Sequence, residues 1–509
     1  MIHSRIDSGT LRDRLDASYY TPEVLENEAQ LRSRGATALR TLIDTDASNY
    51  GVLPPSEDYL PSGSGVPLIR GGDLDGGTIR DPEVDAPLSF KNARGTANVG
   101  DVLLLIKGAC IDSPAGVALV SERHAGSVFN GSCYRVKVAP ACDAGYLVAY
   151  CQTRQLLLQK KREIANTGIA YNAEDSVLGY LVPALSLDAQ RYIGDKVRQA
   201  ERLRESAREL EAAVATTHAQ FIVPPTGIDF AKRTRRLAAR SLTERLDAHF
   251  YPSAVEQYFR QLGGPTRSLD RLCSLVVNGQ SQPEAEEGVR QATVANLGRS
   301  FVEGPLRTVV RPADGSRALA PHDLLLCNAA HNKSYIGRDV TYSQVEGPYP
   351  STEVMVVRVD RTQIPASFVR HYLKTEIGYL QVQSTIRGIT AHSYPTDVKL
   401  LEIPIPAVPD AEREAWFATD GQMLAAGRCF DAARVLASVA TTLVEHLIDG
   451  GLNEADLVVA QKALEAGDHS ADRELLKGLR QSDAPDAKPL ITDIDALYAL
   501  LDGSEGQDA

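Results

Sequence analysis

Arg14-Leu15-Asp16-Ala17, followed by Tyr19-Tyr20 and Pro22, returns later in the chain as Arg245-Leu246-Asp247-Ala248, followed by Phe250-Tyr251 and Pro252. A shared tetrapeptide decides little alone, but three more echoes follow in the same order. Gly100-Asp101-Val102-Leu103-Leu104-Leu105 is matched by His322-Asp323-Leu324-Leu325-Leu326-Cys327, and Thr167-Gly168-Ile169 by Arg387-Gly388-Ile389. Leu181-Val182-Pro183 with Asp188-Ala189-Gln190 is matched by Ile403-Pro404-Ile405-Pro406 with Asp410-Ala411-Glu412. The separations are 231, 222, 220 and 222 residues. Collinear echoes at a nearly constant offset describe one unit copied in tandem, its loops since drifted in length.

Each copy reads alike. A short amphipathic helix opens it. Short β-rich runs such as Val66-Pro67-Leu68-Ile69 and Val354-Met355-Val356-Val357 follow, separated by Gly, Pro, Asn and Asp. A long helical pattern closes it. In the first copy Ile193, Val197, Ala200, Leu203, Ala207, Leu210 and Val214 advance by threes and fours; in the second Trp416, Met423, Ala426, Phe430, Ala433, Leu436, Ala440, Leu443 and Leu447 do so after one step of seven. Such apolar seams need a partner, and the other copy's helix is the nearest one. Packing of each helix on its own domain is the alternative. Residues 188–221 would span on the order of 50 Å, longer than one domain usually covers.

The chain has 509 residues, and at roughly 150 per domain it should fold as about three. Expected limits are 1–186 and 242–408 for the duplicated domains, 187–222 and 409–449 for the long helices, 223–241 for a linker, and 450–509 for an acidic helical tail. In that tail Asn453, Ser470 and Thr492 are the expected helix caps. The basic run Lys232-Arg233-Thr234-Arg235-Arg236 in the linker reads as solvated chain or as a phosphate contact. The net charge is −12, but residues 451–509 hold 13 Asp and Glu against 5 Lys and Arg, so two thirds of the surplus sits in the tail. The longest apolar runs, such as 102–106, are far short of the roughly 18 residues a membrane span needs, and residues 1–15 are charged throughout. The seven cysteines never fall as Cys-x-x-Cys, which favours a reducing cytoplasm over a disulfide framework or a structural zinc.

Catalytic signatures are missing from the sequence. There is no Gly-x-x-x-x-Gly-Lys-Ser/Thr loop, no Gly-x-Ser-x-Gly elbow, no His-Glu-x-x-His helix and no Asn-Pro-Pro loop of an amino-methylating enzyme. The ten histidines do not pair at metal-ligand spacing, so neither catalysis nor a metal is expected. What the chain does carry is a pair of polar loops at matching places in each copy. The first copy has 107–113, with Lys107, Gly108 and Ser113, and 165–172, with Thr167, Tyr171 and Asn172; Arg70 ends a nearby β-run. The second has 328–335, with Asn328, His331, Lys333 and Tyr335, and 384–394, with Arg387, Thr390, His392 and Tyr394. These side chains can hydrogen-bond base edges and phosphates. Equivalent scaffolds with different loop residues are what reading two different half-sites requires.

Over residues 10–448 the chain resembles the specificity subunits of Type I restriction-modification enzymes. The resemblance rests on Arg-Leu-Asp-Ala with paired aromatics, on Gly100-Asp101-Val102-Leu103-Leu104, and on Thr167-Gly168, Leu181-Val182-Pro183 and Asp188-Ala189-Gln190 leading into a long helix, each set occurring twice. His322 in place of the Gly, Glu412 in place of the Gln, the absence of a counterpart to Gly108 and the acidic tail depart from the pattern. The resemblance implies a mixed α/β (α+β) fold of two target-recognition domains joined by antiparallel coiled-coil helices, whose packing residues include Val197, Leu203, Leu210, Met423, Phe430, Leu436 and Leu443. It implies a non-catalytic adaptor that recognises a bipartite site in double-stranded DNA and docks methyltransferase subunits, with a restriction translocase as a further partner. S-adenosylmethionine belongs to the methyltransferase, and this chain needs no cofactor. A protein-interaction scaffold built from the duplicated module, or a specificity factor of another phage-defence system, is the alternative; a stand-alone enzyme is the third reading.

Overall fold

The computed structural model describes residues 11, 14, 16–164, 169–232, 236–237, 242–480 and 487–505 of a mixed helix-and-strand chain. The chain divides into two compact units, Met1–Arg204 with Asp431–Ala509, and Glu205–Phe430.

In the first unit, helix Pro22–Ser33 starts on a proline, whose missing N–H costs nothing in a first turn, and stops before Gly35, which takes φ +72°. A four-stranded antiparallel sheet follows, in the order Asn49–Tyr50, Cys133–Val136, Val102–Leu105, Val117–Leu119. All four residues of Val102–Leu105 are buried, which is why the run is apolar without alternation. A second sheet has the order Val128–Phe129, Val66–Ile69, Val84–Ala86, Leu60–Pro61, its first pair parallel. Ile69, Leu74, Leu103, Leu105, Ala118 and Phe129 form the core beside them. Helices Ala144–Cys151 and Arg154–Glu163 come next, and strand Leu181–Val182 pairs with Thr37–Ala38.

The second unit repeats this plan. Its sheet order is Cys273–Asn278, Val354–Val359, Leu324–Cys327, Val340–Tyr342, and a second sheet pairs Glu284–Ala292 in parallel with Tyr349–Pro350. Helices Ala366–Leu373 and Glu376–Ser384 precede strand Glu402–Pro404, which pairs with Thr266–Ser268.

The repetition extends to single hydrogen bonds. Asp101 and Asp323 are both buried, and each accepts a bond from the backbone N–H three residues earlier, at 2.9 and 2.8 Å. Each also holds a cation from the neighbouring strand or its end, Lys137 for Asp101 and Arg358 for Asp323. Gln159 and Gln381 each donate to a tyrosine hydroxyl, Tyr150 or Tyr372, and accept the backbone N–H of the last strand, Leu181 or Glu402. Before Asp101, Gly100 takes φ +82°; His322, in the matching place, takes φ +74° and is the one non-glycine residue with positive φ among those described. The His322 Nδ1 lies 2.6 Å from the Tyr342 hydroxyl, a bond that offsets the strain a side chain meets there. The exchange of Gly for His therefore keeps the turn. Gln190 and Glu412 differ more. Gln190 is buried and accepts from Asp143 N at 2.9 Å, whereas Glu412 is exposed.

Two long helices, Leu187–Ala219 and Asp410–Asp449, each contribute residues to both units. The start of the first and the end of the second belong to unit one, where Val197, Leu203, Leu436 and Leu443 are buried. The end of the first and the start of the second belong to unit two. There Trp416 packs edge-on against Phe221 and Phe368, Met423 is buried, and Leu210 and Phe430 are half-buried.

The acidic tail folds into helices Glu454–Glu465, Ser470–Gly478 and Ile494–Glu505 within unit one. Asn453 caps the first through Ala455 N. The other two differ from the expected Ser470 and Thr492: Ser470 is the first helical residue, preceded by a turn in which Asp468 accepts Ser470 N at 2.9 Å, and the third helix is capped by Asp493, which accepts Ala496 N at 2.9 Å. A carboxylate caps as well as a hydroxyl and also favours the positive end of the helix dipole. Asp472 is buried and takes bonds from Lys196 Nζ at 2.8 Å, from Tyr192 Oη at 2.5 Å and from Tyr498 Oη. The tail is thereby fastened to the first long helix.

Candidate functional site

Both predicted loops of each unit come together. In unit one Asn172 N donates to Ile106 O at 2.9 Å and Gly108 N to Ala170 O at 3.0 Å, placing Lys107 opposite Tyr171. In unit two Ser393 N donates to Asn328 O at 2.8 Å, and Ala329 lies opposite His392. One loop of each pair follows directly from the buried strand of the main sheet, Val102–Leu105 or Leu324–Cys327, so a rigid element aims it.

Lys107, Tyr171, His331, Lys333, Tyr335, Arg387, Thr390 and Tyr394 are exposed. The His392 ring stacks on Tyr394, and its Nδ1 meets Thr390 O at 2.6 Å. Asn332 accepts Ser334 N at the start of the short turn Lys333–Tyr335, and the Arg338 guanidinium lies over the Tyr335 ring. Gly108 takes φ +132°, and Ser113 shapes a turn by accepting Ala115 N at 3.2 Å. Arg70 stands at the start of turn Gly71–Asp73, near Asp73 and Glu83. Thr167 lies outside the described residues.

Two candidates point inward. Asn172 is buried and its amide donates to Lys160 O at 3.0 Å and to the Tyr180 hydroxyl. Asn328 is buried and donates to Thr352 O at 2.9 Å. Both hold their loops from within and offer no side chain to a ligand; a polar residue in a loop is as readily a brace as a contact, and only burial separates the two.

The opening motif has a role at the site that its sequence did not disclose. Arg245 donates to Thr385 O at 2.9 Å and pairs with Asp397 at 3.2 Å, while Asp397 also accepts from Arg387 Nε at 2.6 Å. Hydrogen bonding to Asp397 raises the Arg387 guanidinium above its ordinary pKa. Arg14 likewise reaches Ile164 O at 3.3 Å, at the foot of loop 165–172. Each of these arginines is clamped by the aspartate two residues on and faces an aromatic ring, Tyr19 or Phe250. The duplicated Arg-Leu-Asp-Ala is thus a buttress for the second loop of each pair.

In a chain with 66 Asp and Glu, these four loops carry a single carboxylate, Asp112, against Lys107, Lys333 and Arg387. Their chemistry is that of hydrogen-bond donors and small cations. Among the described residues no group of His, Cys, Asp and Glu is arranged to hold a metal ion, and no helix is long and apolar enough to cross a membrane.

No family model matches the sequence, and no curated protein matches it. Solved structures similar to the chain include the HsdS subunit from Thermoanaerobacter tengcongensis, 17% identical with a TM-score of 0.28, the match covering 82% of this chain and 97% of that one. A chain from a study of complex assembly and conformational transition of the type I R-M system is 16% identical with a TM-score of 0.29, covering 82% and 98%. The S subunit of a Type I restriction-modification system from M. genitalium is 11% identical with a TM-score of 0.39, covering 81% and 94%.

Proposed function

We propose that this chain is a DNA-specificity subunit: it recognises a bipartite site in double-stranded DNA and directs a separate adenine-N6 methyltransferase to it. The observation that supports this reading best is the pair of like scaffolds, each presenting two joined loops, with a single carboxylate across all four loops and mostly different residues at the exposed positions. Each loop pair would read one half-site, and the long helices would set the gap between them. Phosphate contacts from Lys107 and Lys333 position the loops; base-edge contacts from Thr390, His392, Tyr171 and Tyr394 add the discrimination. The methyltransferase binds S-adenosylmethionine and performs the chemistry, so this chain contributes no catalytic group. A restriction translocase is a further partner, and the complex works in the cytoplasm, where its DNA is.

Long-read methylation sequencing of the host with and without the gene tests this. The expected result is a split methyladenine motif that disappears on deletion. An unchanged methylome, in cells that also make the methyltransferase, would overturn it.

A further inference from the structure

Two apolar residues stand where the recognition loops are most exposed. Ile389 has a relative exposure of 107% and Ile169 of 59%. Single exposed apolar residues are ordinary on protein surfaces and mean nothing by themselves. These two differ in being the same residue at the same place in two copies that have otherwise diverged: Thr167 has become Arg387 across the pair and Ala170 has become Thr390, while Gly-Ile persists as Gly168-Ile169 and Gly388-Ile389.

The second tip is also rigid. Arg387 N donates to His392 O at 2.8 Å and His392 N to Arg387 O at 3.2 Å, closing a small hairpin, and Gly388 makes its turn at φ +77°. Arg387 is tied to Asp397 at the hairpin's foot. Ile389 is thus held out into solvent by a braced loop. The two loops of this unit, joined where Ala329 lies opposite His392, carry His331, Lys333, Thr390 and His392, and neither has a carboxylate. That setting fits a polyanion whose surface includes an isolated apolar group. On an undistorted duplex, the apolar group within reach is the thymine C5-methyl in the major groove; inserting between bases would cost a few kcal/mol of unstacking.

We infer that Ile389 and Ile169 are specificity-determining residues, each packing on the methyl group of one thymine in the half-site its own unit reads. This rests on the DNA-recognition reading above and adds to it which base is read and by which side chain. Each half-site then contains one position where thymine is required for its methyl group.

The test uses the full chain with its methyltransferase and duplexes bearing the motif found by methylation mapping, with each thymine replaced in turn by uracil, which removes the methyl alone. In the wild type, uracil at one position in each half-site should weaken binding roughly fivefold, the worth of one buried methyl. Ile389→Ala should abolish that sensitivity in one half-site and leave the other intact; Ile169→Ala should do the converse, and Ile389→Val should retain most of it. Equal tolerance of uracil by wild type and Ile389→Ala overturns the inference, as does a loss of binding in Ile389→Ala that no uracil reproduces. Absence of any sequence preference in the wild type overturns the DNA reading itself and is distinguishable from either. Ile389→Ala should keep the wild-type urea midpoint, since that side chain is fully exposed.

Discussion

His218, near the end of the first long helix, makes unit two sensitive to acid. Its ring is buried, with Nε2 3.0 Å from the Ser367 hydroxyl and the rings of Phe368 and His371 5.5 and 5.9 Å away. Burial, followed by repulsion from His371, pushes its pKa down to about 3 from an ordinary 6.5, with Asp420 opposing. The folded chain therefore holds this histidine neutral while the unfolded chain protonates it below pH 6.5. Its stabilising contribution is complete above that pH and is lost progressively as pH falls toward the folded value. At about 1.36 kcal/mol per pH unit, moving from pH 8 to pH 5 should remove about 2 kcal/mol. His371, also depressed chiefly by burial, adds to the same trend. Trp416 is the only tryptophan and packs against Phe221 and Phe368 within this unit, so its fluorescence during urea unfolding reports the unit directly. His218→Gln can keep a bond to Ser367 without titrating, and its profile should be flatter by the same about 2 kcal/mol. If wild type and His218→Gln lose stability equally between pH 8 and 5, the neutral buried histidine is refuted.

Other expectations are briefer. Asp472→Ala strands Lys196 inside the tail contact and should cost about 3 to 5 kcal/mol, seen as a hundredfold or greater loss of hydrogen-exchange protection in Ser470–Gly478; Asp472→Leu with Lys196→Met should recover most of it. For Asp472, burial favours protonation, yet Lys196 and the tyrosines hold its pKa below the usual 3.8, so the clamp should persist throughout pH 5 to 8. Gly100→Ala meets no atom within 4 Å but must adopt φ +82°, so urea unfolding of the first unit should show a loss of about 1 to 2 kcal/mol from backbone strain alone. Lys333→Ala should weaken DNA binding and lower the slope of log affinity against log salt by about one. Four residues inserted near Ala207 lengthen that helix by about 6 Å, and methylation mapping should show a gap changed by about two base pairs with both half-sites unaltered.

The duplication was legible because its markers are structural necessities. Asp101 and Asp323 cap a turn and anchor a cation, Arg14 and Arg245 brace a loop, and strands buried on both faces must be apolar throughout. Such residues change slowly between copies because each satisfies a buried partner. The seam residues Val197, Leu203, Met423, Leu436 and Leu443 were readable for a similar reason, since helical periodicity reports which face leaves water.

Periodicity says nothing, however, about which way a loop side chain turns. Asn172 and Asn328 look like ligand-facing amides in the sequence and are internal braces, while the apolar Ile169 and Ile389 in the same loops are exposed. The tail's attachment was equally hidden, because Lys196, Tyr192, Asp472 and Tyr498 come from segments nearly 300 residues apart and follow no spacing rule. Local periodicity and repeated buried motifs were set by the chain itself, through interactions that recur along it. The orientation of the loop residues and the docking of the tail depended on partners brought together only by folding.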